Sequence, residues 1–85
     1  MNNREYIGKC VAEIRQAKGL SIRKLEELCG VSAQNITKIE HGRYNVSVDI
    51  LGKICEELGY HVDLVRNPYD TEVTKEEIEE VIENF

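Results

Sequence analysis

Ala33, Gln34, Thr37 and Lys38 fall within the stretch GVSAQNITKIEHGR at positions 30–43. Side chains three and four apart share one face of a helix, so these four present a carboxamide, an ammonium, a hydroxyl and methyl groups together. Those groups read base edges in a DNA groove. Glutamine bonds adenine through two hydrogen bonds, the methyls of alanine or threonine touch the thymine methyl, and lysine reaches guanine or a phosphate. Ser21, Ser32, Arg43, Tyr44 and Asn45 are the candidates for gripping the phosphate backbone. The two serines stand at expected helix starts, where free N–H groups attract anions. Arg43, Tyr44 and Asn45 lie in the loop after the reading helix, and Arg15, Lys18 and Arg23 are secondary candidates.

Other chemistry is poorly supplied. Cys10, Cys29 and Cys55 are far apart, form no C-x-x-C pair, and each falls on an apolar helical phase. They read as small buried hydrophobes. His41 and His61 lack a partner at a metal-ligand spacing, so no metal and no cofactor are expected. No nucleophile, acid/base pair or metal cluster suggests an enzyme. The tail glutamates recur at helical spacing and read as a solvated face.

The net charge of -5 is unevenly spread. Residues 1–68 carry ten Lys and Arg against nine Asp and Glu, a net +1, whereas residues 69–85 carry one against seven, a net -6. Repulsion between exposed charges fades over about 8–10 Å at physiological salt. An acidic tail held off the reading face therefore costs little binding.

Helical periodicity supplies the elements. Ile7, Cys10, Val11 and Ile14 repeat every three or four residues in a first helix that Gly19 ends. Ser21 caps a second helix with Ile22, Leu25, Leu28 and Cys29 inward, and Gly30 breaks it. Ser32 caps a third, with Ile36 and Ile39 inward and Gly42 closing it. Ser47 or Asn45 caps a fourth, with Val48, Leu51, Ile54, Cys55 and Leu58 inward, ended by Gly59. Tyr60 to Arg66 then has β-branched residues and period-two features, a short strand stopped at Asn67-Pro68. A lone strand needs a partner for its backbone groups, so Tyr60, Val62 and Leu64 are expected to pair with a second copy. In the tail, Thr74 and Glu77 form a capping box ahead of an apolar stripe of Ile78, Val81, Ile82 and Phe85.

Residues 7–59, IGKCVAEIRQAKGLSIRKLEELCGVSAQNITKIEHGRYNVSVDILGKICEELG, resemble the lambda-repressor-like, or XRE-type, helix-turn-helix domain. The resemblance rests on R-x-x-K-G-L-S, L-x-x-L-x-G-V-S, I-x-x-I-E-x-G-R and L-x-x-I-x-x-x-L-G in combination. It implies that the third helix enters the major groove and that dimers bind two half-sites about one helical turn apart. It places Ala33, Gln34, Thr37 and Lys38 at base-facing positions, Ser32 and Arg43 on the backbone, and Glu40 and Gly42 in structural roles. Ile22 replaces a common phosphate-touching glutamine, Glu26 a small residue that lets two helices approach, and His41 an asparagine. The strand after the fourth helix resembles antitoxin-like, HipB-type members, which implies a possible toxin partner.

The expected fold is all-α: a lambda-repressor-like bundle of four helices, a short C-terminal β-strand pairing between subunits, and an acidic amphipathic helix. Residues 1–59 form the DNA-binding domain, 60–67 the dimerisation strand and 68–85 the tail. The expected function is a cytoplasmic, dimeric, sequence-specific DNA-binding regulator, a repressor reading a palindromic operator. The alternative is an antitoxin-type or other protein-interaction module whose acidic helix binds a protein partner, with weak or no DNA binding. No stretch of the sequence matches a membrane span or a secretory signal.

Overall fold

Short-range polar caps decide where each of the first four helices starts. Asn2, Ser21, Ser32 and Ser47 each take extended backbone, and each side-chain oxygen accepts the N–H three residues on: Glu5, Lys24, Asn35 and Ile50 respectively. Such caps satisfy donors that no helical carbonyl can reach. The computed structural model describes residues 1–65 and 75–84. Among these lie α1 (Asn3–Ala17), α2 (Ile22–Cys29), α3 (Ala33–Glu40), α4 (Val48–Glu57) and α5 (Lys75–Glu83).

The ends are as local as the starts. Gly30, at φ 76°, closes α2 in the left-handed conformation, its N–H bonded to the Glu26 carbonyl. A residue with a Cβ adopts that conformation only with strain. This turns the chain sharply from α2 into α3. After α3, Gly42 also takes positive φ, and a Cβ there would crowd the backbone of Glu5 at the start of α1. Its position is thus fixed by packing as well as by φ.

Val11, Leu25, Val31, Ile36, Ile39, Ile54 and Leu58 form the buried core, with Ile7, Ile14, Leu20, Ile22, Tyr44, Val46, Ile50 and Leu51 packed around it. Each fully buried aliphatic side chain contributes roughly 1.5–3 kcal/mol. α3 packs on both α1 and α2, and α2 also packs on α4. α1 meets α3 closely at Gly8, where a Cβ would collide with the Ile39 carbonyl oxygen. α3 is therefore clamped from two sides.

Several expected inward positions turn out otherwise. Val48, the first residue of α4, is 70% exposed, because the inward face of that helix runs through Ile50, Leu51, Ile54 and Leu58. Leu28 is 42% exposed, because the stripe of α2 passes through Ile22, Leu25 and Cys29. All three cysteines are free and half-buried rather than fully buried.

No strand occurs among the described residues. Residues 60–65 leave α4 as irregular chain, without a hydrogen-bonded ladder inside the chain. The described residues offer no strand edge for them to pair with. Tyr60 and Val62 lie along an apolar groove of about 250 Å³ between α1 and α4, but so do His61 and Asp63. The side chains of His61 and Asp63 nevertheless stay largely in solvent, 86% and 64% exposed.

α5 exposes Ile78, Val81 and Ile82. Arg66, the Asn67-Pro68 stop, the Thr74 cap and Phe85 lie outside the described residues. No helix among the described residues is long and apolar enough to cross a membrane.

Candidate nucleic-acid interface

Leu25, Val31, Ile36 and Ile39 form the wedge that sets α3 against α2, and all four are buried. With Ile36 and Ile39 inward, the opposite side of α3 must face out. Gln34 and Lys38 are exposed there, while Ala33 and Thr37 are half-buried. All four sit on the first and second turns of the helix, the end that this arrangement leaves free.

Their chemistry is partly committed. Thr37 Oγ1 donates to the Ala33 carbonyl at 2.9 Å, so the hydroxyl hydrogen is already used and the methyl is the group left for a base. Gln34 and Lys38 make no side-chain hydrogen bond or ion pair among the described residues. They are the two free polar groups of the face.

Ser32 and Ser21 accept the N–H groups of Asn35 and Lys24 through their Oγ atoms. Each hydroxyl keeps its hydrogen for a further acceptor. Arg43 and Asn45 are exposed in the loop after α3, and the Arg43 N–H bonds the Lys38 carbonyl, which fixes the chain's exit. Tyr44 is half-buried with its ring on the core. Ile22, at the start of α2, likewise packs against the core rather than projecting toward solvent.

Two interactions at this site were absent from the sequence reading. The Glu26 carboxylate reaches across the turn and accepts the Ala33 N–H at 2.9 Å. Where a small residue was expected for close approach, a longer one bridges the two helices instead. Arg15 grips Glu40 through Nε at 2.7 Å and Nη2 at 3.0 Å, and donates from Nη1 to the Leu20 carbonyl at 2.7 Å. Arg15 is buried and thus removed from the phosphate candidates. The hydrogen bonds to Glu40 raise its already high pKa, outweighing the burial that would lower it. One signal for this pairing stood in the sequence: Arg15 shares the helical phase of Gly8 and Val11.

Comparison with known proteins places this geometry. A family model described as helix-turn-helix matches residues 11–65. The chain belongs to the XRE-type helix-turn-helix family. Within it, the chain is 36% identical over 66 residues to the uncharacterized HTH-type transcriptional regulator y4dJ of Sinorhizobium fredii, covering 76% of this chain and 86% of that protein. It is 42% identical over 79 residues to the putative HTH-type transcriptional regulatory protein MJ1164 of Methanocaldococcus jannaschii. That match takes in 92% of this chain but only 24% of the archaeal protein, so the chain spans about a quarter of that relative. Among solved structures, the restriction-modification controller protein C.AhdI of Aeromonas hydrophila superposes with a TM-score of 0.67 at 30% identity. The match covers 69% of this chain and 89% of C.AhdI. Sequence and fold thus agree on the helix-turn-helix assignment.

Proposed function

We propose that the chain is a dimeric, sequence-specific DNA-binding transcriptional regulator that represses by occluding a palindromic operator. The observation that carries this reading is the outward face of α3. Gln34 and Lys38 are exposed, and without a side-chain partner among the described residues, on a helix otherwise locked by buried Ile36 and Ile39. Such a helix fits the major groove and reads it from its N-terminal residues. Gln34 takes adenine, Lys38 guanine or a phosphate, and Ala33 with the Thr37 methyl takes thymine. Ser21, Ser32, Arg43 and Asn45 hold the backbone on either side, with Tyr44 bracing the loop from within. The names of the relatives, an HTH-type regulator and a restriction-modification controller, agree with this.

Dimerisation is assigned to Tyr60, Val62 and Leu64, which are 54%, 45% and 93% exposed. Exposed apolar side chains in a row, beside the apolar groove between α1 and α4, suit a seam with a second copy. A second reading draws on α5. Its exposed Ile78, Val81 and Ile82 flanked by glutamates suit a protein partner, such as a toxin. In that case the acidic helix is the interaction element and DNA binding is weak or lost.

The test is selection of the purified chain on a random duplex library across a salt series, followed by sequencing of the bound fraction. Recovery of a palindromic site with affinity falling steeply as salt rises supports the regulator. A folded dimer that selects no sequence favours the protein-interaction reading.

A further inference from the structure

The first four N–H groups of a helix have no carbonyl within the helix, and what satisfies them decides what an approaching anion meets. In α3, the Ala33 N–H goes to the Glu26 carboxylate at 2.9 Å. The Asn35 N–H goes to Ser32 Oγ, and the Ile36 N–H to the Ser32 carbonyl. Among the described residues, the Gln34 N–H alone of these finds no acceptor and is left for an outside one. In α2 the accounting differs. Ser21 takes the N–H groups of Lys24 and Leu25, which leaves those of Ile22 and Arg23 open.

The reading helix thus begins with a carboxylate bound to its first donor, and its neighbour begins with two free donors. We propose that Glu26 is a positioning residue for base readout: it fixes the first turn of α3 and keeps phosphates from settling there. This rests on the DNA-binding reading given above. A negative charge at a helix N-terminus stabilises the helix, and the same charge repels a phosphate that would otherwise use those N–H groups. In a complex aligned on its site, the start of α3 lies over base edges, where the carboxylate meets little opposing charge. In an unaligned complex, phosphate contacts are all that hold the protein, and an open α3 start would be one more of them. Glu26 therefore costs non-specific binding more than specific binding. Phosphate anchoring through open helix N–H groups falls to the start of α2, with Ser21 and Arg23, and Ser32 reaches the backbone through its hydroxyl hydrogen alone.

Two variants separate the charge from the cap. Glu26→Gln keeps an oxygen that can accept the Ala33 N–H but carries no charge, whereas Glu26→Ala removes both. The full chain and both variants are titrated with a duplex recovered by selection and with a scrambled duplex of equal length, over a salt series. E26Q is expected to melt slightly below the wild type, because the stabilising charge is gone while the cap remains, and to bind the scrambled duplex about 2- to 5-fold tighter, the range that one charge near a helix terminus supports. Its preference for the selected duplex then falls by a similar factor. E26A is expected to melt earlier and to lose affinity for the selected duplex, and E26Q rescues that loss. An equal gain on both duplexes, or no gain on either, overturns the proposal while leaving the regulator intact. Failure of the wild-type chain to bind any duplex removes the regulator reading and this inference with it.

Discussion

Arg15 and Glu40 lie 25 residues apart in sequence yet meet in a two-pronged ion pair, at 2.7 and 3.0 Å, beneath the end of the reading helix. Both side chains are at most 10% exposed. A third bond, from Arg15 to the Leu20 carbonyl, ties the same guanidinium to the loop before α2. One side chain therefore holds together α1, the end of α3 and the entry to the helix-turn-helix.

Breaking this pair leaves a buried charge without a partner, which costs about 3–5 kcal/mol. Glu40→Ala and Arg15→Ala are each expected to lower the free energy of unfolding by that amount, read as a lower urea midpoint at unchanged slope. The double change Arg15→Met with Glu40→Leu restores much of the loss, because no charge is then stranded. Equilibrium unfolding of the four proteins checks this. Single variants as stable as the wild type would show that the pair is solvated in solution.

Gln34 and Lys38 should separate by their effects on binding. Gln34→Ala is expected to relax the preference at one base pair in each half-site by about 1–3 kcal/mol. Lys38→Ala, if the ammonium rests on a phosphate, weakens all duplexes alike and lowers the salt slope by about 1 per subunit. Affinities measured against a panel of single-base operator variants distinguish the two patterns.

Gly8 leaves no room for a side chain where α1 crosses α3. Gly8→Ala drives a methyl against the Ile39 carbonyl oxygen. Overpacking of this kind costs about 1–3 kcal/mol, and here it displaces the reading helix as well. A lower melting temperature together with weaker operator binding is expected, and calorimetry with a binding titration would show both. Unaltered melting would mean that the helices separate freely.

Burial pushes the Cys55 thiol above its ordinary pKa. The thiolate is the reactive form, so alkylation of Cys55 in the native chain is expected to be slower at pH 8 than in urea. The sign for stability follows from linkage. The folded chain holds this proton more tightly, so the contribution is full below the unfolded thiol's pKa and lost as pH rises through the folded value. Stability should therefore decline above about pH 9, and Cys55→Ser should flatten that decline. Mass-resolved labelling and a pH series of unfolding curves provide the check.

The parts of this fold that were legible in the sequence are those settled within a few residues. Ser21, Ser32 and Ser47 cap their helices and Gly30 turns the chain as local chemistry dictates. The inward placing of Leu25, Ile36 and Ile39 followed from helical phase. What escaped were pairings across the fold, Arg15 with Glu40 and Glu26 with the Ala33 N–H, because phase can place Arg15 on an inward face but does not name its partner on another element. Val48 and Leu28 escaped for a related reason. Periodicity gives the angle of a face but not how wide the neighbouring helices make it. The segment from Tyr60 to Val65 is irregular within one chain, because period-two patterning does not supply the neighbouring strand that a ladder needs.

The central claim is that α3 reads DNA. It is tested most directly by titrating the isotope-labelled chain with a selected duplex and following backbone amide resonances. The expected result is large shifts at Ala33, Gln34, Thr37 and Lys38, smaller ones at Ser21 and Arg43, and none along α5. Shifts confined to residues 60–65 or α5, with the amides of α3 unmoved, would contradict it.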